Sequence, residues 1–292
     1  MRHNRRLRWA AVPLAATLSL VLAGCTQAEL NGFLPGFESG EAATNHTEIT
    51  RGLWVTSWIV LLIVGLITWG LTIWAVIAYR RRKGQTGLPV QLRYNMPIEI
   101  FYTIVPLILV LGFFAFTARD QAVIEQRFAE DDIDVKVQVI AKQWAWDFNY
   151  VNEDVYEYSE QVQPNEDGSV DPADTPTLVL PVGANVEIAL DSRDVIHSFW
   201  VVDYLYKKDM YPGKTNYMSF VPEREGTFAG KCAELCGEFH SRMLFNVEVV
   251  SQDEYDDYIA SLEDAGQTGQ LSTEYDRNTN LPGTDAPVRE EE

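Results

Sequence analysis

Lys231-Cys232-Ala233-Glu234-Leu235-Cys236-Gly237-Glu238-Phe239-His240-Ser241-Arg242-Met243 brings two thiols, an imidazole and a thioether into one short stretch. Soft and borderline ligands of this kind suit copper. A second imidazole, His197, lies upstream in Asp194-Val195-Ile196-His197-Ser198. The chain has 4 His. His3 and His46 precede the apolar segments described below, so the two histidines of the strand-rich region both belong to this constellation. A blue copper site needs one Cys, two His and a weak axial Met. This segment has that set plus a second Cys, and two thiolates can bridge two copper ions that take one His each. Two Cys and two His could also close a tetrahedral zinc site. The two thiols could instead form a disulfide with the histidines merely packed.

Outward from this stretch, residues from about Ile133 to Val250 read as strands. Val135, Val137 and Val139 alternate with polar residues, and Trp144, Trp146, Phe148 and Tyr150 repeat at period two. Further short runs at Thr177–Leu180, Val186–Leu190, Phe199–Val202, Asn216–Phe220, Gly226–Ala229 and Leu244–Val250 are broken by Gly and Pro. That pattern predicts a β-sandwich or small barrel. Val151–Thr175 is acidic and poor in large aliphatics, and reads as a hairpin or loop over the sandwich. Asp253–Leu262 reads as a short helix, and the polar, acidic chain after Gly266 as a poorly ordered tail.

Two apolar runs precede the strands. Trp54–Tyr79 is uncharged, long enough for a bilayer core, and has aromatic residues toward its ends. Arg80, Arg81, Arg82 and Lys83 follow at once, which places that loop in the cytoplasm. The second run, Ile98–Phe116, contains Pro106, tolerable in a membrane helix, and one acid, Glu99, near its cytoplasmic start. A lone acid there is a functional candidate. The two runs form a hairpin with both ends outside.

The N-terminus resembles a bacterial lipoprotein signal. Arg2, Arg5, Arg6 and Arg8 precede an apolar stretch that ends in Leu22-Ala23-Gly24-Cys25. In such a lipobox Cys25 accepts a diacylglycerol, and the mature chain begins there. The expected organisation is therefore a signal peptide at 1–24, an exported segment at 25–50, a transmembrane hairpin at 51–118, a metal domain at 119–250 and an acidic tail at 251–292.

The 292-residue chain carries 23 Lys and Arg against 42 Asp and Glu, a net charge of −19. From Arg119 onward 13 Lys and Arg face 37 Asp and Glu, a net −24. A phosphate-binding face needs clustered cations, so nucleic acid is excluded as a partner. A basic protein partner is favoured. The 3 cysteines are accounted for by one lipid site and one metal site, without a structural disulfide.

The motif Cys-x-Glu-x-Cys-x-x-x-His-x-x-Met after Asp-Val-Ile-His-Ser resembles the CuA motif of the cytochrome c oxidase subunit 2 family. Gln143-Trp144-Ala145-Trp146 resembles that family's aromatic segment, and Pro212-Gly213-Lys214 its turn. Ile98-Glu99 through Thr103-Ile104-Val105-Pro106 resembles the start of its second helix.

The resemblance implies a membrane-anchored α+β fold, with a two-helix transmembrane hairpin followed by a cupredoxin-like β-sandwich. It implies an electron-input subunit of an aa3-type oxidase in the bacterial cell membrane, with the copper domain on the outer face. Cys232 and Cys236 would bridge two copper ions. His197 and Met243 would complete one, and His240 with the Glu234 carbonyl the other. The Glu234 carboxylate would help hold magnesium shared with the catalytic subunit. Trp144 would receive electrons, and Glu99 would stand at the cytoplasmic mouth of a proton path. Implied partners are catalytic subunit 1, subunit 3, and cytochrome c or a membrane-attached c-haem subunit of quinol–cytochrome c reductase.

Lys142, Ala145 and Lys214 depart from the family's His, Tyr and Arg. They are expected around the donor face and subunit contact, and to suit an unusual donor. A fused c-type haem is excluded because no Cys-x-x-Cys-His occurs. A quinol-oxidase counterpart would lack the copper ligands. A lipid-anchored copper-binding or copper-delivery protein is the rival reading, and it would need neither the aromatic segment nor Glu99.

Overall fold

The computed structural model describes residues 42–88, 91–163, 165, 170 and 175–274. The signal peptide, the lipobox with Cys25 and the last residues of the acidic tail lie outside the described residues. Helix α1 (Thr47–Ala78) and helix α2 (Met96–Ile124) are long and apolar enough to cross a membrane. Their apolar side chains point outward all round, as lipid-facing helices require. Both outlast the apolar runs. The first begins about two turns before Trp54, and the second continues about two turns beyond Phe116. Pro106 lies inside α2, where its missing donor interrupts one turn of the ladder.

Ten strands follow: β1 (Val135–Lys142), β2 (Ala145–Tyr150), β3 (Val155–Glu157), β4 (Thr177–Pro181), β5 (Val186–Ser192), β6 (His197–Val201), β7 (Tyr206–Met210), β8 (Asn216–Phe220), β9 (Gly226–Cys232) and β10 (Leu244–Val250). They make two five-stranded sheets, in the orders β3-β2-β1-β5-β8 and β4-β10-β9-β6-β7. β1 with β5 and β4 with β10 are parallel, and the other pairs are antiparallel. Between the sheets Trp146, Phe199 and Phe245 pack at centroid distances of 4.5–5.8 Å, in the stacked and edge-to-face arrangements that aromatic pairs prefer. The fold class predicted from sequence is the one observed.

Three local features differ from the sequence reading. β7 was not expected, because Lys207, Lys208 and Asp209 mask its alternation. β2 is buried along its whole length rather than on one face, since further chain covers its outer side. That cover includes residues 266–274, which the composition suggested would be loose. Thr268 bridges Val155 and Leu271 is buried, so this segment is docked. The expected short helix forms as α3 (Gln252–Asp264), started by a capping box between Ser251 and Glu254.

The hairpin meets the sandwich at both of its outer ends. Ahead of α1, Thr44 bridges Pro222 and buried His46 places Nε2 2.9 Å from the Ser219 carbonyl of β8. Beyond α2, Arg127 makes a two-pronged ion pair with Glu187 of β5, and Lys208 of β7 pairs with Glu125.

Candidate metal centre

Register builds the site. β6 and β9 are antiparallel neighbours with Phe199 opposite Cys232, so His197 lies beside the last residue of β9. The loop after β9 is pinned at both ends. Cys232 N donates to the Met243 carbonyl at 3.0 Å, and Ala233 N to the Ser198 carbonyl at 3.0 Å. A 3-10 turn at His240–Arg242 brings His240 back over the loop.

The six side-chain or backbone donors expected from the motif converge. The Cys232 and Cys236 sulfurs are 3.8 Å apart, far beyond the length of a disulfide bond. His197 Nδ1 lies 3.8 Å from the Cys232 sulfur, and His240 Nδ1 3.5 Å from the Cys236 sulfur. Met243 Sδ is 3.8 Å from the Cys236 sulfur and the Glu234 carbonyl oxygen 3.2 Å from the Cys232 sulfur. His197, Cys232 and Cys236 offer ligand atoms all within 4.8 Å of one another. A closed zinc site uses four donors of N, O or thiolate type. A thioether and a carbonyl beside two thiolates and two imidazoles make a set that fits copper.

The thiols respond to each other. Their mutual contact pulls Cys232 down to about 3 and pushes Cys236 up.

His197 is buried, which lowers its pKa, but hydrogen bonds to Asp194 and Cys232 outweigh burial and raise it. Its Nε2 stands 2.8 Å from Asp194 Oδ1, so Nδ1 faces the sulfurs. A carboxylate behind a ligating imidazole fixes its tautomer and ring orientation. Asp194 in turn accepts from Val195 N and Gln143 N, each at 2.6 Å. Sequence reasoning quoted Asp194 without giving it this part. The signal available was an acid three residues before a ligand histidine.

Trp144 caps the same loop. It and Gln143 form the two-residue connection between Lys142 and Ala145, which pair across β1 and β2. Gln143 Nε2 donates to the Cys236 carbonyl at 2.7 Å. The indole meets the Phe239 ring edge to face at 4.8 Å. Gly237, with φ +129°, sits beneath it, and a Cβ there would come within 3.0 Å of the indole. Only glycine meets both requirements.

Glu234 turns its carboxylate outward and is exposed, as is Lys214. Glu99 lies far from the metal centre, in the first turn of α2, where its carboxylate accepts the Asn95 N–H at 2.8 Å. Lys142 and Ala145 are not on the donor face. Both are buried, and Lys142 is in an internal ion pair with Asp147. Two of the three departures thus lie inside the domain and say nothing about the donor.

Residues 135–250 match the family described as "Cytochrome C oxidase subunit II, periplasmic domain". The chain is 42% identical over 300 residues to "Probable cytochrome c oxidase subunit 2" of Streptomyces avermitilis, with 91% of this chain and 93% of the relative covered. It is 30% identical over 330 residues to "Cytochrome c oxidase subunit 2" of Mycobacterium tuberculosis, covering 96% of this chain and 87% of the relative. Among solved structures it is similar to the periplasmic domain of subunit II of cytochrome oxidase of Bradyrhizobium japonicum. There the identity is 27%, with 46% of this chain and 96% of that one covered, and the TM-score is 0.41. On its similarity to these curated relatives, carried through both long apolar helices and the domain that holds the sulfur–imidazole cluster, the chain belongs to the cytochrome c oxidase subunit 2 family.

Proposed function

We propose that the chain accepts electrons from a c-type cytochrome at a two-copper centre and passes them to haem in catalytic subunit 1, where oxygen is reduced to water and protons are moved. The observation that carries this reading is the sulfur pair 3.8 Å apart with an imidazole nitrogen against each sulfur. When bound, the copper pair supplies a one-electron carrier whose geometry changes little between oxidation states. Cys232 and Cys236, His197 and Met243, and His240 with the Glu234 carbonyl would hold it. Asp194 holds His197, and the short pinned loop keeps the donors from rearranging. A copper-delivery protein is disfavoured by the same rigidity, since cargo release calls for a site that opens.

Trp144 is the electron-input residue in this reading, supported by its seat over the metal loop. Glu99 marks the cytoplasmic start of a proton path. The exposed Glu234 carboxylate contributes to a magnesium site at the contact with subunit 1, and subunit 3 completes the assembly. The metal domain faces the outside of a bacterial cell membrane, with Cys25 lipidated after removal of residues 1–24. The donor is cytochrome c or a membrane-attached c-haem subunit. The acidity of the exported part favours a basic donor, and oxygen uptake with free cytochrome c should fall as salt rises.

The decisive measurement is on the full chain loaded with copper. Two coppers per chain and an electron paramagnetic resonance signal split by two equivalent copper nuclei are expected. One copper per chain, or the signal of a single mononuclear centre, overturns the reading.

A further inference from the structure

Behind the turn that carries Trp144, the outer face of the first sheet holds three charged side chains away from water. Lys142 is 1% exposed, Asp147 0% and Arg193 2%. Lys142 Nζ lies 2.6 Å from Asp147 Oδ1 and 3.6 Å from the centre of the Tyr158 ring. Arg193 Nη1 lies 3.6 Å from Asp147 Oδ2. Such burial is costly unless each charge is answered, and removing one partner strands the others.

Tyr158 and Ser159, whose N–H donates to Asp147 Oδ1 at 3.1 Å, cover the Lys142 and Asp147 side of this cluster, and the docked C-terminal segment, residues 266–274, covers the Arg193 side. Arg193 Nε donates to the Ser272 carbonyl at 2.6 Å. Asn149 of β2 donates to the Leu271 carbonyl and accepts from Leu271 N, both at 2.9 Å. Leu271 itself is buried.

The same cluster is wired to the metal centre. Arg193 N donates to the Ala141 carbonyl at the end of β1. The next residue, Asp194, holds both the Gln143 N–H beside Trp144 and the imidazole of His197. The dipeptide Arg193-Asp194 is therefore bonded to the C-terminal segment on one side. On the other it is bonded to the Trp144 turn and a ligand.

We propose that Arg193, clamped by the segment Gln267–Glu274 and braced by Asp147, is a positioning residue for the Trp144 turn. The inference rests on the reading of Trp144 as the electron-input residue for its effect on rate, but not for its effect on structure. The clamp acts through Arg193-Asp194, and its loss loosens Gln143 and Trp144 while the core between the sheets stays closed.

Two altered chains test this, one ending at Gln270 and one carrying Arg193→Lys, which keeps the charge but loses the planar fork. A chain ending at Glu274 is the control. Hydrogen exchange is read on the metal-free full chain, and donor-to-copper and copper-to-haem rates on the assembled oxidase. Amide exchange across residues 142–145 should quicken about tenfold in the chain ending at Gln270 and less in Arg193→Lys, with β9 and β10 unchanged. The donor step should slow at least about threefold while the copper-to-haem step stays within about twofold, as misplacement of one reacting group predicts. Unchanged exchange at 142–145, or exchange that rises equally through β9 and β10, overturns the proposal. Trp144→Phe separates the two ideas. If it leaves the donor step unchanged, the electron-input reading fails, while the exchange result still decides the clamp.

Discussion

Asp194 stands behind His197, with its Oδ1 2.8 Å from the imidazole Nε2, and so leaves Nδ1 facing the Cys232 sulfur. The carboxylate is held by two backbone N–H groups, which leaves it little freedom to swing away.

Asp194→Asn should keep the fold but weaken copper binding about 10- to 100-fold, the usual cost of losing the group behind a ligating histidine. Competition titration against a copper chelator measures it. Affinity equal to that of the unaltered chain would show that loop packing alone orients the imidazole.

Met243→Leu should retain copper. The side chain is fully buried, so an apolar residue of similar size costs less than about 1.5 kcal/mol of stability. Its sulfur lies 3.8 Å from Cys236, in the place of a weak ligand that tunes potential more than affinity. A changed reduction potential with unchanged metal content is the expected pair of results. Loss of copper with the fold intact would make Met243 an obligatory ligand instead.

Glu99 has two candidate duties that one substitution can separate. Its carboxylate accepts the Asn95 N–H and so helps begin α2. Glu99→Gln keeps an acceptor oxygen there but cannot carry a proton. Turnover should fall while assembly and copper reduction by the donor stay normal. Normal turnover would leave Glu99 with the structural duty alone.

Glu157 gives the domain a pH dependence. Burial raises its pKa, only partly offset by the Tyr258 hydroxyl and the Thr177 backbone. The folded state therefore holds a proton that the unfolded state releases. Its stabilising contribution is full below the ordinary glutamate pKa and is lost as pH rises through the raised value. Glu157→Gln should melt higher than the unaltered chain at pH 7, and the gap should close below about pH 4. A gap of the same size at both pH values would assign the effect to packing.

The ligand set was legible because its chemistry is packed into thirteen consecutive residues and one upstream histidine, and no other Cys or His occurs from Arg119 onward. The two long apolar helices were legible because runs of that length with at most one charge have few other uses. What sequence hid was contact over long separations. Lys142 looked like a surface departure because lysine is nearly always exposed, and nothing local announces that Asp147 receives it. Lys207, Lys208 and Asp209 concealed β7, since an edge strand can carry charge on both faces. Residues 266–274 looked loose for want of apolar content. Yet Leu271 and a few backbone hydrogen bonds suffice when the partner surface, Asn149 and Arg193, is ready-made.

The two attachments of the hairpin to the sandwich have a mechanical consequence. A domain joined to its membrane anchor by one strand of chain can swivel like a flag. Here His46 grips β8 ahead of the first helix, while Glu125 and Arg127 grip β7 and β5 beyond the second. The anchor works as a yoke, and torque on the sandwich is delivered to both helices together. Such a domain cannot turn on one helix without moving the other.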